Sequence, residues 1–132
     1  MKCQSYKNGD CVNNKDGICQ THKSEDGLSL HCCGSWSKDK IDHFEYYAEM
    51  FSTGMKNKWN GRLYYVDLFS GPGKCIAREN LEEFDGACMR AVNIKDKFNH
   101  YFLVDTNSLC IKDLKQRLKN EKNRSIFLQT TL

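Results

Sequence analysis

Residues Tyr64-Tyr65-Val66-Asp67-Leu68-Phe69-Ser70-Gly71-Pro72-Gly73 join an apolar run to an acid and then to a Gly-x-Gly turn. A buried strand meets a nucleotide-binding loop in this way, because glycines let the backbone pass a ligand with no Cβ between them. Pro72, the only proline in the 132 residues, sits between the two glycines. A second apolar run, Tyr101-Phe102-Leu103-Val104, ends in Asp105, 38 residues after Asp67. A carboxylate at that strand end can accept both hydroxyl protons of a ribose. Asp67, Phe69, Ser70, Gly71, Gly73 and Asp105 together read as half of a cofactor pocket.

The second constellation is metal-like. Five of the eight cysteines, Cys3, Cys11, Cys19, Cys32 and Cys33, fall in the first 33 residues with His22 and His31. Cys3, Cys11 and Cys19 are eight apart, and Cys19-x-x-His22 has knuckle-like spacing. Thiolate and imidazole are ligands that zinc takes, four at a time, at about 2.0–2.3 Å. Cys3, Cys11, Cys19 and Cys32 form the candidate set, with Cys33 and His22 as rivals for the fourth place. The absence of a Cys-x-x-Cys pair leaves three other readings open: free thiols on a disordered segment, disulfides, or an iron–sulfur cluster.

The elements that must position these groups follow from hydrophobic spacing. Residues 1–35 form one unit with few large apolar side chains, which cannot bury enough surface to fold alone. Either it is disordered or something other than a core holds it, which a metal would do. Ile41, Phe44, Tyr47, Ala48, Phe51 and Met55 make one face of a helix over 37–55, with Ser37 as its cap and Asp39 in its first turn. Asn60-Gly61 ends that region. A first strand spans 63–69, and its unbroken apolar character predicts a central parallel strand covered on both faces. A polar loop follows over 74–84, then a helix over 86–97 capped by Asp85. The remainder reads as a strand at 101–105, a helix over 107–119 and a strand at 124–129. The order is that of a parallel α/β sheet, and no internal repeat is evident. The run of basic residues from Lys112 to Arg124 is broken by acids and reads as a solvated helix face. The division predicted is a Cys/His-rich segment, 1–35, followed by an α/β unit, 36–132.

Composition is ordinary for a globular domain, at 39% hydrophobic and 28% charged residues. A net charge of +3 is too small to imply nucleic acid by itself. No run approaches the roughly 18–20 apolar residues of a membrane helix, and the N-terminus has no apolar signal core. A cytoplasmic protein without a membrane partner is therefore expected.

Asp67-Leu68-Phe69-Ser70-Gly71-Pro72-Gly73 resembles motif I of class I S-adenosylmethionine-dependent methyltransferases, with Phe69 in place of the usual first glycine. The form is similar to that of DNA methyltransferases. Asp26-Gly27-Leu28, Cys32, Gly34, Trp36-Ser37 and Lys40 precede it; Asp85-Gly86-Ala87 and Tyr101–Asp105 follow it. This ordered set resembles the three-Cys-motif partner protein (TcmP) family over residues 26–118. Gly86-Ala87-Cys88 departs from the family's Gly-Ser-Pro, and Ile41 stands where a histidine is common.

The resemblance implies a partial Rossmann-like α/β fold: a three-stranded parallel sheet, helices on its faces, and the Cys-rich segment in front. It implies that Gly71 and Gly73 lie against the methionine and ribose portions of S-adenosylmethionine. Asp67 would anchor the loop and the cofactor amino group, and Asp105 would hold the ribose. Trp36 and Lys40 resemble an upstream element that reaches the cofactor carboxylate. Read without the resemblance, Trp36 is a core aromatic beside the first helix and Lys40 a solvated lysine. A whole domain of that class has seven strands with catalytic residues after the fourth, and three are legible here. No catalytic residue can be named, so the chain alone is expected to be inactive, with a protein partner, and a nucleic acid or protein as methyl acceptor. The other reading is a non-catalytic, zinc-stabilised interaction module.

Overall fold

The computed structural model describes residues 2–130 and is mixed α/β; the outermost ends of the two predicted units, residues 1 and 131–132, lie outside them. Four two-residue strands come first: β1 (Tyr6–Lys7), β2 (Asp10–Cys11), β3 (Asn14–Lys15) and β4 (Ile18–Cys19). They form two successive hairpins. Asn8-Gly9 and Asp16-Gly17 sit at the tips with positive φ, at 52° and 88° and at 53° and 84°. These are the pairs that two-residue hairpin turns demand. The hairpins repeat one Cys-x7-Cys unit, Cys3–Cys11 and Cys11–Cys19, so the sequence does contain an internal repeat. Asn-Gly and Asp-Gly eight residues apart were its signal.

Strand β5 (His31–Cys33) follows, then helix α1 (Trp36–Met55). The expected helix is present, but Ser37 lies inside it and Ser35 occupies the cap position without a side-chain capping bond. Its buried side is Ala48 and Ser52, flanked by half-buried Ile41, Phe44 and Met55. Tyr47 and Phe51, expected on that face, are exposed and stack on one another with ring centroids 6.4 Å apart. The Ser52 hydroxyl takes a core position because it donates to the Asp96 carbonyl at 2.5 Å.

Strand β6 (Tyr64–Asp67) leads into the glycine loop. The expected polar loop after it is instead a hairpin of β7 (Lys74–Ala77) and β8 (Glu83–Asp85). β7 pairs in parallel with β5, His31 opposite Cys75, giving a five-stranded sheet in the order β3-β4-β5-β7-β8. A distant partner makes Lys74-Cys75-Ile76-Ala77 a strand, which local pattern alone does not reveal. Helix α2 (Ala87–Val92) is half the expected length, with Gly86 rather than Asp85 at its cap. Then come β9 (His100–Asp105), α3 (Ser108–Arg117), capped by the Asn107 side chain, and β10 (Ser125–Gln129).

β6, β9 and β10 form a three-stranded parallel sheet in the order β10-β9-β6. The main core lies on one side of it. Tyr65, Tyr101, Leu103 and Phe127 pack there with Met89, Val92, Leu114 and Leu118 from the helices. The buried Tyr101 hydroxyl accepts from the Phe98 N–H and donates to the Ala91 carbonyl, both at 3.0 Å. The expectation of a central strand covered on both faces does not hold for β6. It is an edge strand among the described residues, and Tyr64, Val66, Ile126 and Leu128 are exposed on the other face. No helix among the described residues is long and apolar enough to cross a membrane.

Polar staples fasten the N-terminal segment to the rest. Ser24 bonds Glu83, and the Ser29 N–H and hydroxyl both donate to buried Asp113, at 2.9 and 2.5 Å. Arg117 donates to both Asp26 carboxylate oxygens at 2.9 and 3.0 Å and to the Ser29 and Pro72 carbonyls, each at 2.7 Å. Its side chain is only 2% exposed. Arg117 therefore departs from the solvated face expected for the basic run.

Candidate functional site at the carboxyl ends of the parallel strands

Asp67, Asp105 and Gln129 are the last residues of β6, β9 and β10. Carboxyl ends of parallel strands are where open α/β sheets bind ligands, because the loops diverge there and leave a crevice. The glycine loop crosses this edge and is held from several sides. Asp67 accepts from the Phe69 N–H at 3.0 Å and from the Tyr65 hydroxyl at 3.1 Å. The Ser70 N–H donates to the Val104 carbonyl, and the Gly71 N–H to Asp105 Oδ2, both at 3.0 Å. Asp105 Oδ1 accepts from the Asn107 N–H at 2.8 Å. The Gly86 N–H closes on the Gly73 carbonyl at 2.7 Å, and Arg117 holds Pro72.

The two glycines differ in surroundings. At Gly71, φ is +63° and an added Cβ would meet nothing within 4 Å. At Gly73, φ is +103° and a Cβ would lie 3.0 Å from Leu114 and 3.1 Å from Met89. Gly71 thus faces open space, whereas Gly73 lets the loop pack on α2 and α3.

Three cavities follow the strand ends. One of about 160 Å³ is lined by Asp67, Phe69, Ser70, Gly71, Gly73 and His31 among others. A second, of about 300 Å³, adjoins it through His31, Ile41, Cys75 and Ala87 and contains Trp36 and Lys40. A third, of about 470 Å³, holds Asp105, Asn107 and Gln129, with Asp16 reaching in from the second hairpin tip. Trp36 is 63% exposed rather than a core aromatic, and the Lys40 ammonium lies 5.6 Å from its ring centroid. The residues expected at the pocket therefore share one edge of the molecule, with Asp105 behind the glycine loop and Trp36 and Lys40 in front.

His31 is one of several lining residues, with Lys74, Cys75 and Ala87, that the sequence did not identify as part of this cleft. In the sequence His31 lies in the cysteine-rich segment without being a candidate ligand, and the register of β5 against β7 brings it between the first two cavities. Burial lowers its imidazole below the usual value, opposed by the Gly17 backbone and the Asp105 carboxylate. Burial, with the Asp67 charge adding, pushes the Tyr65 phenol up, so it remains a donor to Asp67. Among the described residues the buried Ser70 hydroxyl has no hydrogen-bond partner. Open space beside Gly71 and an unsatisfied hydroxyl on the loop both suit a bound polar ligand.

The five N-terminal cysteines divide into two groups. Cys3, Cys11, Cys19 and Cys32 share one buried cluster with Leu30 and Ile76. Cys33, next to Cys32 on β5, belongs to another cluster with Cys75, Ala77 and Phe84, since neighbouring strand residues face opposite ways. His22 stands at the margin, its Nδ1 3.7 Å from Cys19 Sγ. Comparison of the chain with protein-family models, curated proteins and solved structures finds no match.

Proposed function

We propose that this chain carries the S-adenosylmethionine-binding half of a methyltransferase-like α/β domain, Rossmann-like in its sheet and similar to the TcmP family. The observation that carries the reading is the glycine loop between Asp67 and Asp105, aligned with the carboxyl ends of three parallel strands. S-adenosylmethionine, when bound, supplies an electrophilic methyl group on a sulfonium. The chain's own residues would bind and orient it. Gly71 would give the cofactor room beside the backbone, and Asp105 has lone pairs left for ribose hydroxyls beyond its two backbone bonds. Trp36 and Lys40, at the front of the cleft, suit the carboxylate end. Asp67 acts on the loop by holding the Phe69 N–H and the Tyr65 hydroxyl.

No residue in the cleft is assigned to activate a methyl acceptor, and the reading is of a cofactor-holding half that is inactive alone. The acceptor proposed is a nucleic acid or a protein. A second reading, a non-catalytic interaction module, is favoured by the uncovered apolar face of the parallel sheet, which suits a partner protein. Calorimetric titration with S-adenosylhomocysteine separates the two. Binding by the wild type that is lost in Gly71→Arg and weakened in Asp105→Ala supports the cofactor half. A folded wild type that binds nothing favours the interaction module.

A further inference from the structure

We propose that Cys3, Cys11, Cys19 and Cys32 form a four-thiolate structural zinc site that fixes the N-terminal hairpins beside the strand ends. This inference is independent of whether the cleft binds a cofactor. The four cysteines come from separate stretches of chain yet meet in one buried cluster. Cys3 Sγ and Cys11 Sγ are 3.9 Å apart. Zinc–sulfur bonds of about 2.3 Å in a tetrahedron set sulfurs about 3.8 Å apart, so this pair already spans one tetrahedral edge. Among the described residues no three His, Cys, Asp or Glu side chains yet converge as a ligand group, so binding requires the remaining sulfurs to close in.

The site answers a structural need. The strands β1 to β4 have two residues each, and β1 and β2 pair only with one another among the described residues, a hairpin of a length that is not stable by itself in water. Beneath them the cluster offers only Leu30 and Ile76 as buried aliphatic side chains. Segments this poor in core are held by a metal or by disulfides. All eight cysteines are free thiols here.

Charge also fits. Four thiols release four protons when they bind Zn²⁺, leaving a site of net charge −2. Arg78 stands beside the cluster: its carbonyl accepts from the Cys3 N–H at 2.7 Å, and its guanidinium carbon lies 5.9 Å from the centroid of the Tyr6 ring, which packs on the cluster. Among the described residues the buried Arg78 Nε has no hydrogen-bond partner. A thiolate would give that N–H an acceptor and that site a counter-charge.

The alternation of β5 fixes the fourth ligand and makes the test sharp. The full chain, prepared reduced and supplemented with zinc, is assayed for metal by mass spectrometry and, after exchange, for its Co²⁺ absorption spectrum. One zinc per chain and a Co²⁺ spectrum with tetrahedral and thiolate charge-transfer bands are expected. Cys33→Ser should keep the metal. Cys32→Ser should bind it more weakly by over about a hundredfold, the upper end of what losing even an outer partner costs. Three results would overturn the site: a zinc-saturated wild type with no bound metal, an intact mass showing a disulfide among the four, or equal metal loss in both serine variants.

Discussion

At the scale of single residues, Gly71 and Gly73 look alike in the sequence and differ in what a methyl group would do. Gly71→Ala puts an L-residue at φ +63° but meets no neighbour, so it should cost roughly 1 kcal/mol, the left-handed penalty alone. Its methyl would project into open space at the cleft, so S-adenosylhomocysteine binding should weaken while the fold survives. Gly73→Ala meets Leu114 and Met89 at φ +103° and should cost on the order of 2–4 kcal/mol through backbone strain and overpacking. Denaturant unfolding of the two variants, paired with titration, checks both statements. Equal destabilisation by the two would sink the distinction. His31 belongs to this scale as well. A depressed imidazole binds its proton less readily folded than unfolded, so its contribution to stability is whole above the unfolded pKa near 6.5. It falls as pH drops below that value. The pH dependence of unfolding between about pH 7 and 5 should therefore flatten in His31→Gln.

At the scale of elements, the Asp26–Arg117 pair shows how a loop becomes a brace. Hydrogen bonds from Arg117 hold the Asp26 carboxyl at about 2, below its usual value of 3.8. A depressed carboxyl stabilises the fold above its unfolded value, and the contribution is lost as pH falls from about 4 towards 2. Asp26→Asn should cost about 1–3 kcal/mol at neutral pH, less than the 3–5 of a fully buried pair, because solvent screens the one-third-exposed Asp26 side. Thermal unfolding of wild type and variant should draw together as pH falls from about 4 and meet near pH 2 or below, and a full gap that persists there would refute the linkage. The same brace shows what the sequence could and could not disclose. The strands ending in Asp67 and Asp105 and helix α1 were legible because apolar spacing is local. β7 was not, since its partner β5 lies more than 40 residues earlier and neither has a long apolar run. The hairpin repeat is legible in Asn8-Gly9 and Asp16-Gly17, although the cysteines at the same eight-residue spacing point equally to a metal site. Arg117 looked like one more solvated cation, and only its four bonds to residues far away in sequence make it interior. Trp36 offers two readings in the sequence, a core aromatic beside the first helix or part of an upstream cofactor element, and its place at the first turn of α1 leaves it exposed at the cleft mouth.

At the scale of the whole molecule, the parallel sheet is finished on one side and open on the other. Helices α1, α2 and α3 contribute to the molecule's layers, yet the face bearing Tyr64, Val66, Ile126 and Leu128 is exposed, and among the described residues β6 has a neighbour along one edge only. Leu68 and Phe69 in the glycine loop are exposed as well, the latter at 77%. A contiguous apolar face beside a strand with free backbone N–H and C=O groups is a template for association. Two copies meeting through this surface, or a partner laid across it, would remove water from both the side chains and the edge. The wild-type chain should therefore show an average mass that rises with concentration in sedimentation experiments. Val66→Lys places a charge on that face at a position 60% exposed, so it should change stability by no more than about 0.5 kcal/mol. It should lower the association, because a lysine buried against a second apolar surface would be stripped of its water with no partner to pair it. The mass of the variant should stay near that of one chain at concentrations where the wild type has risen. A wild type that remains monomeric throughout would show that the open face is tolerated in water, and that its exposure alone drives no assembly.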